Sequence, residues 1–253
     1  MVDAQIGAKG SVLIMVSFAL TLAASPAQAS LTLFLGADDG AGSLASAPNS
    51  TAAAASFDAA VAGLGIEHTI TFENSPLGTF SSLDLGSGIT LTGSNVNNNS
   101  QSIVNTTTDA NLVPFCTAPV CGYNTTPGGS QFLLLFGGTA TFSFNAGTDA
   151  FGAYLSSVQN GGETITSSDG ASQSVDIPNP GFDGGITFVG FTDADNTIAS
   201  ITINVNNDIV GVDDVRYVID PVPEPASLAL LGAALAGLGL AWRRKHTLAL
   251  RPI

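Results

Sequence analysis

Short runs of β-branched and aromatic residues, separated by Gly, Asn, Asp and Ser, fill the chain from His68 to Ile219. Runs of that length and spacing predict antiparallel strands packed as a sandwich. Strands are expected at His68–Glu73, Gly88–Thr92, Phe132–Phe136, Thr139–Asn145, Ala150–Ser156, Glu163–Thr166, Ser172–Ile177, Gly185–Phe191, Ile198–Val205 and Ile209–Ile219. Between Thr139 and Phe144 the even positions are apolar, and between Thr197 and Val205 it is Ala199, Ile201, Ile203 and Val205. Period-two alternation turns one face to a core and the other to water. Asn206-Asn207 is a hairpin candidate, because Asn tolerates positive φ. Ahead of the strands, Ser30 to Pro48 reads as small and flexible. Thr51 to Ala62 carries Phe57, Val61 and Leu64 at spacings of four and three, with Asn49 or Ser50 placed to cap and Gly63 and Gly65 to terminate. One short helix is expected there, packed on the sandwich, since a lone helix of about twelve residues is marginal in water.

Both ends of the chain depart from this pattern. Lys9 precedes a mainly apolar run from Ser11 to Ala24, and Ala27-Gln28-Ala29 has the small-x-small form of a signal peptidase site. Residues 1–29 read as a signal peptide cut after Ala29. At the other end Pro223-Glu224-Pro225 is followed by an apolar run from Ala226 to Trp242 and then by Arg243-Arg244-Lys245. At about 1.5 Å per helical residue that run spans roughly 25 Å, near the lower limit for a bilayer core of about 30 Å. A C-terminal transmembrane helix is therefore expected. The prolines at 221, 223 and 225 hold the preceding segment extended. By the positive-inside tendency, Lys9 and the Arg243 cluster stay in the cytoplasm and everything between is exported.

This tail resembles the PEP-CTERM sorting signal of proteins exported by Gram-negative bacteria. Pro223, Glu224 and Pro225 match the named tripeptide, Ala226 to Trp242 the helix, and Arg243, Arg244 and Lys245 the basic end. The resemblance implies an exosortase, a membrane protease-transpeptidase, as processing partner. It also implies an inner-membrane anchor before processing, and the cell surface or extracellular matrix afterwards. The domain plan is then 1–29 signal peptide, 30–66 linker and short helix, 67–220 β-sandwich, 221–245 sorting signal and 246–253 cytoplasmic tail.

Charge narrows the partners. Of 20 acidic residues only Asp3 lies in the leader, and of six Lys and Arg only Arg216 lies outside the two ends. The segment from Ser30 to Pro225 is thus near minus 18. It has almost nothing with which to neutralise phosphates, which excludes electrostatic binding of nucleic acid and makes multivalent cations its natural partners. Cys116 and Cys121 sit in a polar stretch of an exported segment, where a disulfide clipping the loop is the simplest expectation. His68 is the only histidine of that segment, so the cysteines lack further metal ligands or a partner base.

The passenger also resembles other PEP-CTERM ectodomains and, more loosely, the jelly-roll sandwiches of carbohydrate-binding modules, through Thr71-Phe72-Glu73, Phe188 to Phe191 and Gly211 to Val215. That resemblance implies a structural Ca²⁺ held by Glu73 with Asp213 or Asp214, completed by carbonyls or waters to the six to eight oxygens calcium prefers. The alternative is that Asp213 is a hydrogen-bonded strand residue and Asp214 pairs with Arg216. No Gly-x-Ser-x-Gly elbow accompanies His68, and no glycine cluster matches a phosphate loop. Tyr123 and Tyr154 are the candidates for stacking on sugar rings, whereas Tyr217 alternates with Val215 and Ile219 on the core face. The expectation is a non-catalytic exported surface or matrix protein that binds exopolysaccharide. A secreted polysaccharide hydrolase and a purely structural coat protein are the alternatives.

Overall fold

The computed structural model describes residues 31–95, 101–105, 122–168, 173–181, 184–193, 197–219 and 235. Within them fourteen strands and one α-helix form a two-layer antiparallel sandwich. The strands are β1 (Thr32–Asp39), β2 (Ile66–Ile70), β3 (Gly78–Phe80), β4 (Ser82–Gly86), β5 (Ile89–Ser94), β6 (Gln101–Asn105) and β7 (Gln131–Phe136). They continue with β8 (Thr139–Thr148), β9 (Ala150–Ser156), β10 (Thr164–Ser167), β11 (Gln173–Asp176), β12 (Gly185–Thr192), β13 (Ile198–Asn204) and β14 (Ile209–Ile219). The helix α1 spans Pro48–Val61. The larger sheet runs β1-β12-β9-β14-β7-β6-β3 with β2 also paired to β14, and the smaller runs β11-β10-β13-β8-β5-β4.

The two inner faces meet in one apolar core that includes Leu91, Phe142, Ile201 and Ile203 from the smaller sheet and Leu133, Phe151, Val189 and Val212 from the larger. A second cluster lies on the outer face of the larger sheet, where Ala54, Phe57 and Val61 of α1 pack on Tyr154, Ile186, Phe188 and Val218. The central strands β9 and β12 are consequently buried at every residue, and they read as continuous apolar runs rather than alternating ones. Gly152 and Gly190 face each other across that pair. A Cβ on Gly190 would lie 2.8 Å from a Phe57 ring carbon and 2.9 Å from one of Phe188. Bare backbone at these two positions is what lets the helix settle on the sheet.

Several expectations are corrected. Ser30 to Pro48, read as flexible within a linker, contains β1, an edge strand paired along its whole length with β12. The sequence signal was hidden because Leu33 and Leu35 are exposed where β1 flanks the core, and Asp38-Asp39 ends the strand with charge. The helix starts at Pro48, three residues earlier than expected, and neither Asn49 nor Ser50 caps it through its own side chain. Asp38 of β1 does so instead, accepting from Asn49 N at 3.0 Å on Oδ1 and from Ser50 N at 2.7 Å on Oδ2. The first expected strand stops at Ile70, because Phe72 adopts φ 59° and drops its ring into the core. Asn206 has the positive φ expected of it, 50°, but its turn joins β13 and β14 of opposite sheets and is not a hairpin.

The C-terminal transmembrane helix expected over 226–242 falls outside the described residues, apart from Leu235, which is helical. Among the described residues no helix is long and apolar enough to cross a membrane.

Candidate functional site

The loop Gly122–Ser130 crosses the outer face of the larger sheet beside α1, and the three acids expected to hold calcium all converge on it. Its backbone has no strand partner, so its N–H groups need acceptors from elsewhere. Ser157 Oγ accepts from Gly122 N and Ser156 Oγ from Tyr123 N, both at 2.8 Å. Asp213 Oδ2 accepts from Thr125 N at 2.8 Å and Thr126 N at 3.0 Å. Glu73 Oε1 accepts from Ser130 N at 2.8 Å, Gln131 N at 2.9 Å and Asn124 Nδ2 at 2.9 Å. Serine hydroxyls thus hold the start of the loop, Asp213 its middle and Glu73 its end.

Asp213 and Asp214 lie together. The Thr126 hydroxyl is 2.8 Å from Asp214 Oδ1 and 3.2 Å from Asp213 Oδ2, and the Thr125 hydroxyl is 3.3 Å from an oxygen of each. Each hydroxyl has one proton, so it cannot serve both acids at once. Asp213 is 1 % exposed and its Oδ1 has no hydrogen-bond partner. Burial, and then the charge of Asp214, push the Asp213 carboxyl up to about 7 against the pull of the loop N–H groups. The pairing of Asp214 with Arg216 does not form. Asp214 takes φ 46° at an irregularity of β14 between Asp213 and Arg216, which turns it toward the threonines. Arg216 instead reaches Asp58 of α1 and lies over the Tyr154 and Phe188 rings at 5.5 and 5.7 Å.

The structure brings Glu73, Asp213 and Asp214 to one loop, where their oxygens are engaged by loop donors. Among the described residues no three His, Cys, Asp or Glu side chains gather as a metal-holding group. The sugar-stacking candidates are corrected: Tyr123 is 6 % and Tyr154 2 % exposed, both inside the cluster under α1. Tyr217 is buried in the main core, as its alternation with Val215 predicts. Sequence reasoning missed Asp38, Ser156 and Asp208, buried polar residues that tie loops to strands. Their signal, a short polar residue at a strand end, is shared with ordinary turns. Ala27 and Ala29, Cys116 and Cys121, and Pro223, Glu224, Pro225, Arg243, Arg244 and Lys245 lie outside the described residues.

The last strand precedes the sorting signal in the chain. β14 ends at Ile219, paired with Ile66, and residues 221–245 match the family model described as the PEP-CTERM protein-sorting motif. The chain carries a PEP-CTERM sorting motif. This motif implies processing by an exosortase, export and a membrane-directed sorting signal. No curated protein matches the chain.

Register places the end of β14 within the larger sheet. Ile219 pairs with Ile66, Tyr217 with Phe151, Ala150 with Thr192, and Thr192 with Thr32. The end of β14 and the start of β1 therefore emerge at one pole of the larger sheet. Asp39, Gly185, Ser156, Ile209 and Phe136 mark the opposite pole.

Proposed function

We propose that this protein is an exported, non-catalytic surface or matrix protein whose sandwich binds an extracellular polysaccharide through the pole remote from its sorting motif. The observation that carries this reading is that the start of β1 and the end of β14 lie at one pole of the larger sheet. During export the leader expected at 1–29 and the motif at 221–245 would hold that pole toward the membrane. The opposite pole is left to face outward. It carries the exposed ring of Phe136 and the exposed amides of Asn160, Asn179 and Asn206. An apolar ring face beside amide donors and acceptors is the chemistry that sugar hydroxyls and C–H faces require.

The experiment is a glycan array and a hydrolysis screen run in parallel on the full chain, with Phe136→Ala as the variant. Binding without turnover, weakened about tenfold by F136A, is the expected outcome. Turnover would replace the reading with that of a polysaccharide hydrolase. Neither binding nor turnover would favour a structural coat protein.

A further inference from the structure

The turn between β9 and β10 contains Asn160-Gly161, the one place in the sequence where glycine follows asparagine. Both residues are exposed. The turn is held from either side: Asp208 Oδ2 accepts from Asn160 N at 3.1 Å, and Gly162 O accepts from Asn206 Nδ2 at 2.6 Å. Between those anchors lie the Asn160 side-chain amide and the Gly161 N–H, and no hydrogen bond among the described residues engages either. A Cβ placed on Gly161 would meet nothing within 4 Å, so no side chain stands over the backbone nitrogen.

Other asparagines differ in the amide that follows them. Ser50 N donates to Asp38 Oδ2 at 2.7 Å, Ser75 N to Phe72 O at 2.9 Å and Thr125 N to Asp213 Oδ2 at 2.8 Å, which ties up the amides after Asn49, Asn74 and Asn124. Asparagine is thermolabile because the next backbone nitrogen can attack its side chain. That nitrogen must lose its proton and turn inward, and a hydrogen bond opposes both. Glycine, with no Cβ, opposes neither.

We propose that Asn160-Gly161 is a site of spontaneous covalent self-modification that needs only water. The Gly161 nitrogen, its proton passed to hydroxide, bonds to Asn160 Cγ; the bond from Cγ to Nδ2 breaks, and ammonia leaves with protons from solvent. Water then opens the five-membered imide at either carbonyl, giving aspartate or, with the main chain rerouted through Cγ, isoaspartate. Either product puts a carboxylate where this pole carried an amide, and isoaspartate adds a methylene to the main chain beside the N–H that Asp208 accepts. The chemistry does not depend on what the pole binds.

The test is peptide mapping by mass spectrometry of the full chain held at 37 °C, at pH 6 and pH 8, folded and in urea, for the wild type and Gly161→Ala. In the folded protein the peptide carrying Asn160 should gain about 1 Da ahead of those carrying Asn49, Asn74 and Asn124, faster at pH 8, as a mixture of aspartate and isoaspartate. G161A has room for its methyl group and should slow the reaction about tenfold by shielding the nitrogen. Urea should speed Asn49, Asn74 and Asn124 and leave Asn160 little changed. Reaction at those three ahead of Asn160 in the folded chain, reaction at Asn160 only in urea, or an equal rate in G161A would each overturn the proposal. Should G161A fail to fold, the order of sites in the folded wild type decides: Asn160 first upholds the site, and any of the other three first sinks it.

Discussion

Asp38 and Asp213 are both buried acceptors of backbone N–H groups, and their environments drive them in opposite directions. At Asp38 burial works upward, but the hydrogen bonds from Ser50 and Asn49 outweigh it and leave the carboxyl below its usual range. Its contribution to stability is present above the unfolded carboxyl range and is lost as pH falls through the lowered value. Asp213 behaves in the reverse sense. Its carboxyl is raised to about 7, so its contribution is complete below the unfolded value near 3.8 and is lost as pH rises through about 7. Circular-dichroism melts between pH 4 and 8 should show the wild type losing stability across this window, by a few kcal/mol at most. Asp213→Asn should flatten that slope. An unchanged slope would assign it to other groups, among them Glu163, which burial also raises.

The helix α1 is held by contacts at three points along its length. Asp38 caps its first turn, Phe57 packs against Phe34 and Phe188 at centroid distances of 5.7 and 5.8 Å, and Asp58 meets Arg216. Phe57 is fully buried, so Phe57→Ala should cost about 3–5 kcal/mol. Gly190→Ala keeps every existing side chain and still places a methyl group against Phe57 and Phe188, for about 1–3 kcal/mol. Asp38→Ala should cost about 1–2 kcal/mol by loss of the cap, with its effect vanishing at acid pH where the carboxyl is protonated. Urea unfolding of the three variants orders these costs. The helix itself was legible from the spacing of Phe57 and Val61, whereas its cap was not, because the capping carboxylate comes from a strand ten residues earlier in the chain.

The layout of the poles makes a prediction about the anchored form. With the sorting motif starting two residues past Ile219, a fluorophore at Ile66 should transfer energy to a membrane dye more efficiently than one at Gly161. Equal transfer from both labels would mean that the sandwich lies along the membrane rather than standing on its tether pole.

Strand-forming runs, the tripeptide motif and the acidic balance were readable because each is local: period-two alternation, a fixed order of residue types and a sum of charges need no folding. Thus β9 and β14 occupy the residues their patterns predict, and the motif lies where Pro223 to Pro225 place it. Which sheet each strand joins was not readable, since the β13–β14 turn looks like a hairpin and yet crosses between layers. Nor could the sequence tell which backbone N–H groups Glu73 and Asp213 would accept from. That choice belongs to the tertiary structure, because a buried carboxylate is compensated by whatever donors packing brings within hydrogen-bond reach, and here those are N–H groups of residues 124–131.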